Sequence, residues 1–134
     1  MVLATHPEQA RAMYGFLKEF IQEKGYEPIF QFPDQRSLGD SVYIFGHSNG
    51  TNTVLEEYSP DKYPAVQGIM LFDPSEQYRR AWNALEVQRW ALISKTVGNR
   101  PWATGFDHST YVNDGHFFTK SFDIIHKKLD EIVE

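Results

Sequence analysis

The sequence predicts an α/β fold, a three-layer sandwich with a mostly parallel sheet of about five strands and helices on both faces. Two observations predict it. Short apolar runs alternate with amphipathic segments along the chain, and Gly, Pro or Asp follows most of the runs. The length of 134 residues then suits one domain, 1–134, with a sizeable core.

Each element has its own signal. Residues 1–5 are an apolar run stopped by His6-Pro7, which reads as a buried strand. In 8–24, Met13, Phe16, Leu17, Phe20 and Ile21 recur at helical spacing, and Gly25 is a natural stop. Residues 28–32 read as a second strand, and 34–40 as a polar loop. Residues 41–45 (Ser-Val-Tyr-Ile-Phe) are a third strand, followed by Gly46-His47-Ser48-Asn49-Gly50 and a short helix near 51–58. Residues 65–72 form a fourth strand ending in Asp73-Pro74. Ser75 can cap a helix reaching about Gln88, with Tyr78, Ala81, Trp82 and Leu85 facing inward. Residues 90–97 read as a fifth strand. Residues 98–115 are irregular, with one short strand near 110–112. Phe122, Ile125, Leu129, Ile132 and Val133 stripe a final helix.

Composition narrows the function. The net charge is −5, from 13 Lys+Arg against 18 Asp+Glu. An acidic surface suits neither nucleic acid nor an anionic membrane. No apolar run approaches the ~20 residues of a bilayer span. There is no cysteine, which excludes a thiolate metal site and a cysteine nucleophile. No basic-then-apolar leader opens the chain, so the expectation is a cytoplasmic protein acting on a small molecule. The edges of so small a sheet leave room for self-association.

In a parallel sheet, ligands sit beyond the carboxyl ends of the strands. The residues there are His6, Asp34, the 46–50 turn, Asp73, and then Asp107, His108, Asp114 and His116. Gly46-x-Ser48-x-Gly50 stands between a strand and a helix. A sharp turn there presents the Ser48 hydroxyl at the sheet end, and small residues two before and two after relieve crowding. The Asn49 N–H at the helix start can face an oxyanion. The plainer reading is a Gly-rich turn with a capping serine.

A serine nucleophile needs a base, and His116 in Asp114-Gly115-His116-Phe117-Phe118 can serve, with the two phenylalanines anchoring its loop. His108 is the rival. His47 adjoins Ser48 and is expected to point elsewhere, and His126 is expected at the surface. Asp73 is the orienting acid by its strand-end position, with Asp107 the alternative. Asp114 is too close to His116 in sequence for easy geometry. Asp107-His108 with Asp114-x-His116 is a weak metal-ligand pattern, and neither a metal nor another cofactor is expected.

These segments resemble a known family. Residues 41–50 look like the nucleophile elbow of α/β-hydrolases, in the GHSxG form of lipases and esterases. Residues 66–74 are similar to the next strand of that fold, where some lipases carry the acid. Residues 114–118 and the helix after them look like its histidine loop and last helix, and the order Ser48, Asp73, His116 agrees with the family order. The resemblance spans about 41–134. It implies a serine hydrolase of ester or related acyl bonds, with a second oxyanion donor near His6–Glu8. His6-Pro7 stands where the family usually has glycines, Thr51 where a second elbow glycine is frequent, and the chain is shorter than most members.

Two other readings compete. A short strand, long helix, strand and Gly/Ser/Asn loop opening onto Glu56-Glu57 is similar to nucleoside deoxyribosyltransferase-like domains, which use a Glu nucleophile. A non-catalytic binding module would instead use the tryptophans and phenylalanines as core and interface.

Overall fold

The computed structural model describes residues 2–4, 11–27, 41–96, 98 and 100–133. Among these, five parallel strands lie side by side in sequence order: β1 (Val2–Ala4), β2 (Val42–His47), β3 (Val66–Phe72), β4 (Gln88–Ser94) and β5 (Ser109–Val112). The helices are α1 (Arg11–Glu23), α2 (Asn49–Glu57), α3 (Arg79–Asn83) and α4 (Phe122–Ile132). The fold class is α/β, as the alternation of elements predicts. The expected strand at 28–32, the loop at 34–40, and His6 and Pro7 lie outside the described residues.

The strand pleat sorts the core into two halves, because successive side chains point to opposite faces. Tyr43, Phe45, Met70, Phe72, Trp90, Leu92 and Val112 face one side, where they meet Met13, Leu17, Phe20 and Ile21 of α1 and Ile125, Leu129 and Ile132 of α4. Val42, Ile44, Ile69, Leu71, Ala91 and Ile93 face the other side, against Val54 of α2 and Trp82 of α3. Residues on both faces of the strands are buried, which explains why these runs are apolar throughout rather than alternating. Phe16 stacks on Phe122 at 4.9 Å and joins α1 to α4.

Helix ends follow local chemistry. α1 stops at Gly25, whose φ of 87° suits glycine. Tyr26 N–H reaches the Ile21 carbonyl and Gly25 N–H the Gln22 carbonyl, both at 3.0 Å, a Schellman closure. One register shift lies between β2 and β3: Val42 pairs Val66 but Tyr43 pairs Gly68. Gln67 is the extra residue, and it points to solvent. No helix among the described residues is long and apolar enough to cross a membrane.

Two expected boundaries change. The helix expected over 75–88 is a 3₁₀ turn (Glu76–Tyr78) followed by α3, which ends at Asn83. Trp82 is its buried anchor and Ala81 is exposed. Residues 84–87 then lead directly into β4, so helical spacing of Leu85 was not enough to extend it. β4 ends at Ser94 rather than at 97, because the Ser94 hydroxyl and Thr96 turn toward the Asp114 carbonyl.

Leu129 is fully buried on α4, whereas Ile124 on the same helix is 43% exposed. Leu129→Ala should lower unfolding free energy by about 2–5 kcal/mol, and Ile124→Ala by no more than about 0.5 kcal/mol. Equal urea midpoints for the two variants would contradict this packing.

Candidate active site

The 46–50 turn is built as a sharp elbow. Ser48 has φ 57° and ψ −123°, a strained conformation for a residue with a side chain. Such strain persists only where surrounding contacts over-determine it. Ser48 N–H donates to the Phe72 carbonyl at 3.1 Å, which ties the turn to the end of β3. The Ser48 carbonyl accepts from Thr51 N–H at 3.0 Å and from the Thr51 hydroxyl at 2.6 Å. Thr51, in place of a second glycine, therefore braces the elbow. At Gly46 an added Cβ would lie 3.1 Å from the Gly50 carbonyl oxygen, Leu71 and Val54. Glycine at that position lets α2 approach β2 closely. Ser48 itself is partly exposed. Asn49 opens α2, so its N–H has no acceptor within the helix and faces outward with the positive dipole end.

Asp73 and His116 form the second half. Asp73 follows β3, one strand away from Ser48, and its N–H pairs with the Leu92 carbonyl of β4 at 2.9 Å. Its side chain is fully buried. Asp73 Oδ1 accepts the Ser94 backbone N–H at 2.6 Å, and Oδ2 takes His116 Nδ1 at 2.6 Å. Both carboxylate oxygens are thereby satisfied, as a buried anion requires. Burial pushes the Asp73 carboxyl above its ordinary range, and the hydrogen bonds from His116 and Ser94 pull it partly back. With Nδ1 held by the acid, the opposite ring nitrogen, Nε2, is the one left to meet a nucleophile. The His116 side chain is 24% exposed, so reactants can reach it.

Three features position the His116 loop. Asp114 accepts Gly115 N–H, Lys120 N–H and the Ser121 hydroxyl, each at 2.7 Å. It is a loop brace and not an orienting acid. Phe118 is fully buried and anchors the loop as expected, with its N–H turned back to the Gly115 carbonyl at 3.0 Å. Phe117 is only partly buried and lies against the rings of His47 and His116.

His47 corrects an expectation. It was expected to point away from the chemistry, but its Nε2 lies 2.7 Å from the His116 carbonyl oxygen, and its ring sits 4.8 Å from that of His116. The reason is the pleat. His47 shares the face of Tyr43 and Phe45, which is the face that carries α4 and its preceding loop. Sequence reasoning also missed Ser94 and Trp102. Trp102 stacks on His116, with ring centroids 4.5 Å apart and an interplanar angle of 26°.

The alternative residues lie elsewhere. His108 precedes β5, and it lines a cavity with Glu86, Val87 and Gln88 at the amino-terminal end of the sheet. That is the opposite end from Ser48, so His108 is not placed as a base. Asp107 is exposed beside it, with its N–H on Asn83 and its carbonyl on Trp82. Glu56 and Glu57 close α2 at the end remote from the elbow. Glu56 accepts the Tyr78 hydroxyl and Glu57 pairs with Lys62 at 3.5 Å. Asp107 and His108 do not converge with Asp114 and His116. No group of three or more His, Asp or Glu suited to a metal ion occurs among the described residues. His126 is at the surface, 3.2 Å from Asp130.

Comparison with protein-family models, with curated proteins and with solved structures finds no match. The geometry of the residues therefore carries the functional argument.

Two predictions test this arrangement. Asp114→Ala leaves three donors without their acceptor and should cost about 1–3 kcal/mol, read as a lower denaturation midpoint. The second concerns Asp73, whose carboxyl titrates at a higher pH in the folded protein than when unfolded. The folded state then binds the proton more readily, so ionised Asp73 opposes folding above that raised value. Relative to Asp73→Asn, the wild type should gain stability as pH falls toward the ordinary carboxyl range, then level off. At neutral pH, Asp73→Asn should be as stable as the wild type or more so. A wild-type advantage that shrinks on acidification would show that the contact with His116 outweighs burial.

Proposed function

We propose that the chain is a serine hydrolase of the α/β-hydrolase type that cleaves an ester or related acyl bond. One observation carries the reading: a fully buried Asp73 holds His116 Nδ1 at 2.6 Å, and Asp73 follows β3, the parallel neighbour of the strand that runs into the strained Ser48 turn. The order Ser48, Asp73, His116 along the chain supports it. A cytoplasmic location belongs to the same proposal.

Ser48 Oγ attacks the acyl carbon while its proton passes to His116 Nε2. Asp73 stabilises the imidazolium that forms, through the Nδ1–H hydrogen bond, and keeps Nε2 free to accept. The developing oxyanion takes a hydrogen bond from the Asn49 N–H. Collapse breaks the bond to the leaving oxygen, which collects the proton from Nε2. Water then repeats the sequence: His116 takes its proton, the hydroxide attacks the acyl carbon, and the Ser48 oxygen leaves reprotonated.

A fluorophosphonate probe should label the wild type at Ser48 and leave Ser48→Ala unlabelled. Hydrolysis of an activated ester should fall at least about a thousandfold in Ser48→Ala and His116→Ala. It should fall about 10³–10⁴-fold in Asp73→Asn, where the amide would favour the wrong His116 tautomer. Equal labelling of wild type and Ser48→Ala would end the hydrolase reading.

A further inference from the structure

The mechanism does not use Trp102, although that residue covers one face of the His116 ring. We propose that Trp102 is a specificity-determining residue that forms a flat wall on the leaving-group side of Ser48, selecting esters whose departing alcohol is a planar aromatic ring. This deepens the serine-hydrolase reading and rests on it.

Three observations point this way. The first is direction. Asp73 holds Nδ1, so Nε2 delivers the proton to the departing oxygen, and the group on that oxygen must lie beside the imidazole. Trp102 is parallel to that imidazole within 26°. It reaches the site from the segment after β4, whereas Asn49 approaches from α2. The ring proposed to meet the leaving group and the N–H proposed to meet the oxyanion thus come from different elements.

The second observation is exposure. Trp102 remains 39% exposed while stacked on His116. The core does not require that surface, and the partly buried Phe117 ring, 5.5 Å from His116, adds to the aromatic lining. Offset or edge-to-face aromatic pairs gain free energy beyond their buried area, which a saturated ring does not.

The third is rigidity. The Trp102 N–H donates to the Ser94 carbonyl at 2.7 Å, and Ser94 is the residue whose own N–H holds Asp73. The next residues are fastened to the 3₁₀ turn and α3. Thr104 donates to Glu76 through both its N–H at 3.0 Å and its hydroxyl at 2.8 Å, and the Gly105 carbonyl accepts from Asn83 at 2.9 Å. Ala103 is fully buried. A wall fixed in advance costs little ordering when substrate binds, which is what a specificity element needs.

The test compares phenyl acetate with cyclohexyl acetate, which share the acyl group and differ in leaving-group planarity. The readout is the ratio of their kcat/KM values, with intrinsic reactivity cancelled by dividing wild type by variant. Trp102→Ala should lower the phenyl preference about three- to tenfold, and Trp102→Phe should keep most of it. In the wild type, phenol should inhibit competitively at lower concentration than cyclohexanol, a result independent of how any variant folds. An unchanged ratio in Trp102→Ala, an equal loss on both esters, or equal inhibition by the two alcohols would overturn the proposal. Fluorophosphonate labelling of Ser48 runs alongside. Labelling without a leaving-group effect removes the role of Trp102 alone, and absence of labelling removes the hydrolase reading beneath it.

Discussion

The site depends on a single buried carboxylate. Asp73 has no solvent to hold its charge, so two donors must do so: the Ser94 N–H and His116 Nδ1, each at 2.6 Å. Neither is close in sequence. Ser94 arrives because β4 pairs in parallel with β3, and the Asp73 N–H joins that ladder through Leu92. His116 arrives because the loop before α4 is pinned by Asp114, Phe118 and His47. Leaving such a carboxylate half-satisfied is costly in a low-dielectric interior. The same need fixes the orientation of the imidazole and thereby which ring nitrogen is left free.

The backbone at this end of the sheet is held in unfavourable conformations. Ser48, Asp73 and Phe118 all have positive φ, at 57°, 53° and 54°. Each costs free energy for a residue with a side chain. Two apolar clusters, one on each face of the sheet, offset it. Phe72, the residue before Asp73, and Phe118 lie in one cluster, and Val54 of α2 lies in the other. The packed layers hold the strand ends close enough that the turns have no relaxed alternative. Ser48 N–H on the Phe72 carbonyl locks one such turn to the next strand. Strain at the site and burial behind it are thus parts of one arrangement.

Much of this was legible in the residues. Apolar runs buried on both faces mark β2, β3 and β4, and the stripe of Ile125, Leu129 and Ile132 marks α4. Gly46, Ser48 and Asp73 could be found because each sits where a strand stops, and strand ends are visible as changes in composition. The length of α3 was not legible, because helical spacing of Tyr78, Trp82 and Leu85 does not reveal that the chain must turn back to start β4. The direction of His47 was not legible, because adjacency in sequence says little about direction until the face of its strand is known. Trp102 carried no sequence signal at all, since it lies in an irregular segment with no periodicity.

The sequence by itself determined the parallel α/β class, the strand–turn–helix around Ser48, and the chemical types able to serve it. These are local properties, set by side-chain spacing and by the conformational preferences of glycine and proline. It left the choice among His108 and His116, and among Asp73, Asp107 and Asp114, open. Only the tertiary structure decided those pairings, because they depend on which end of the sheet each loop reaches. His108 precedes a strand and falls at the amino-terminal end, whereas His116 follows one and falls beside Asp73. Strand direction and register are properties of the assembled sheet, and no single segment encodes them.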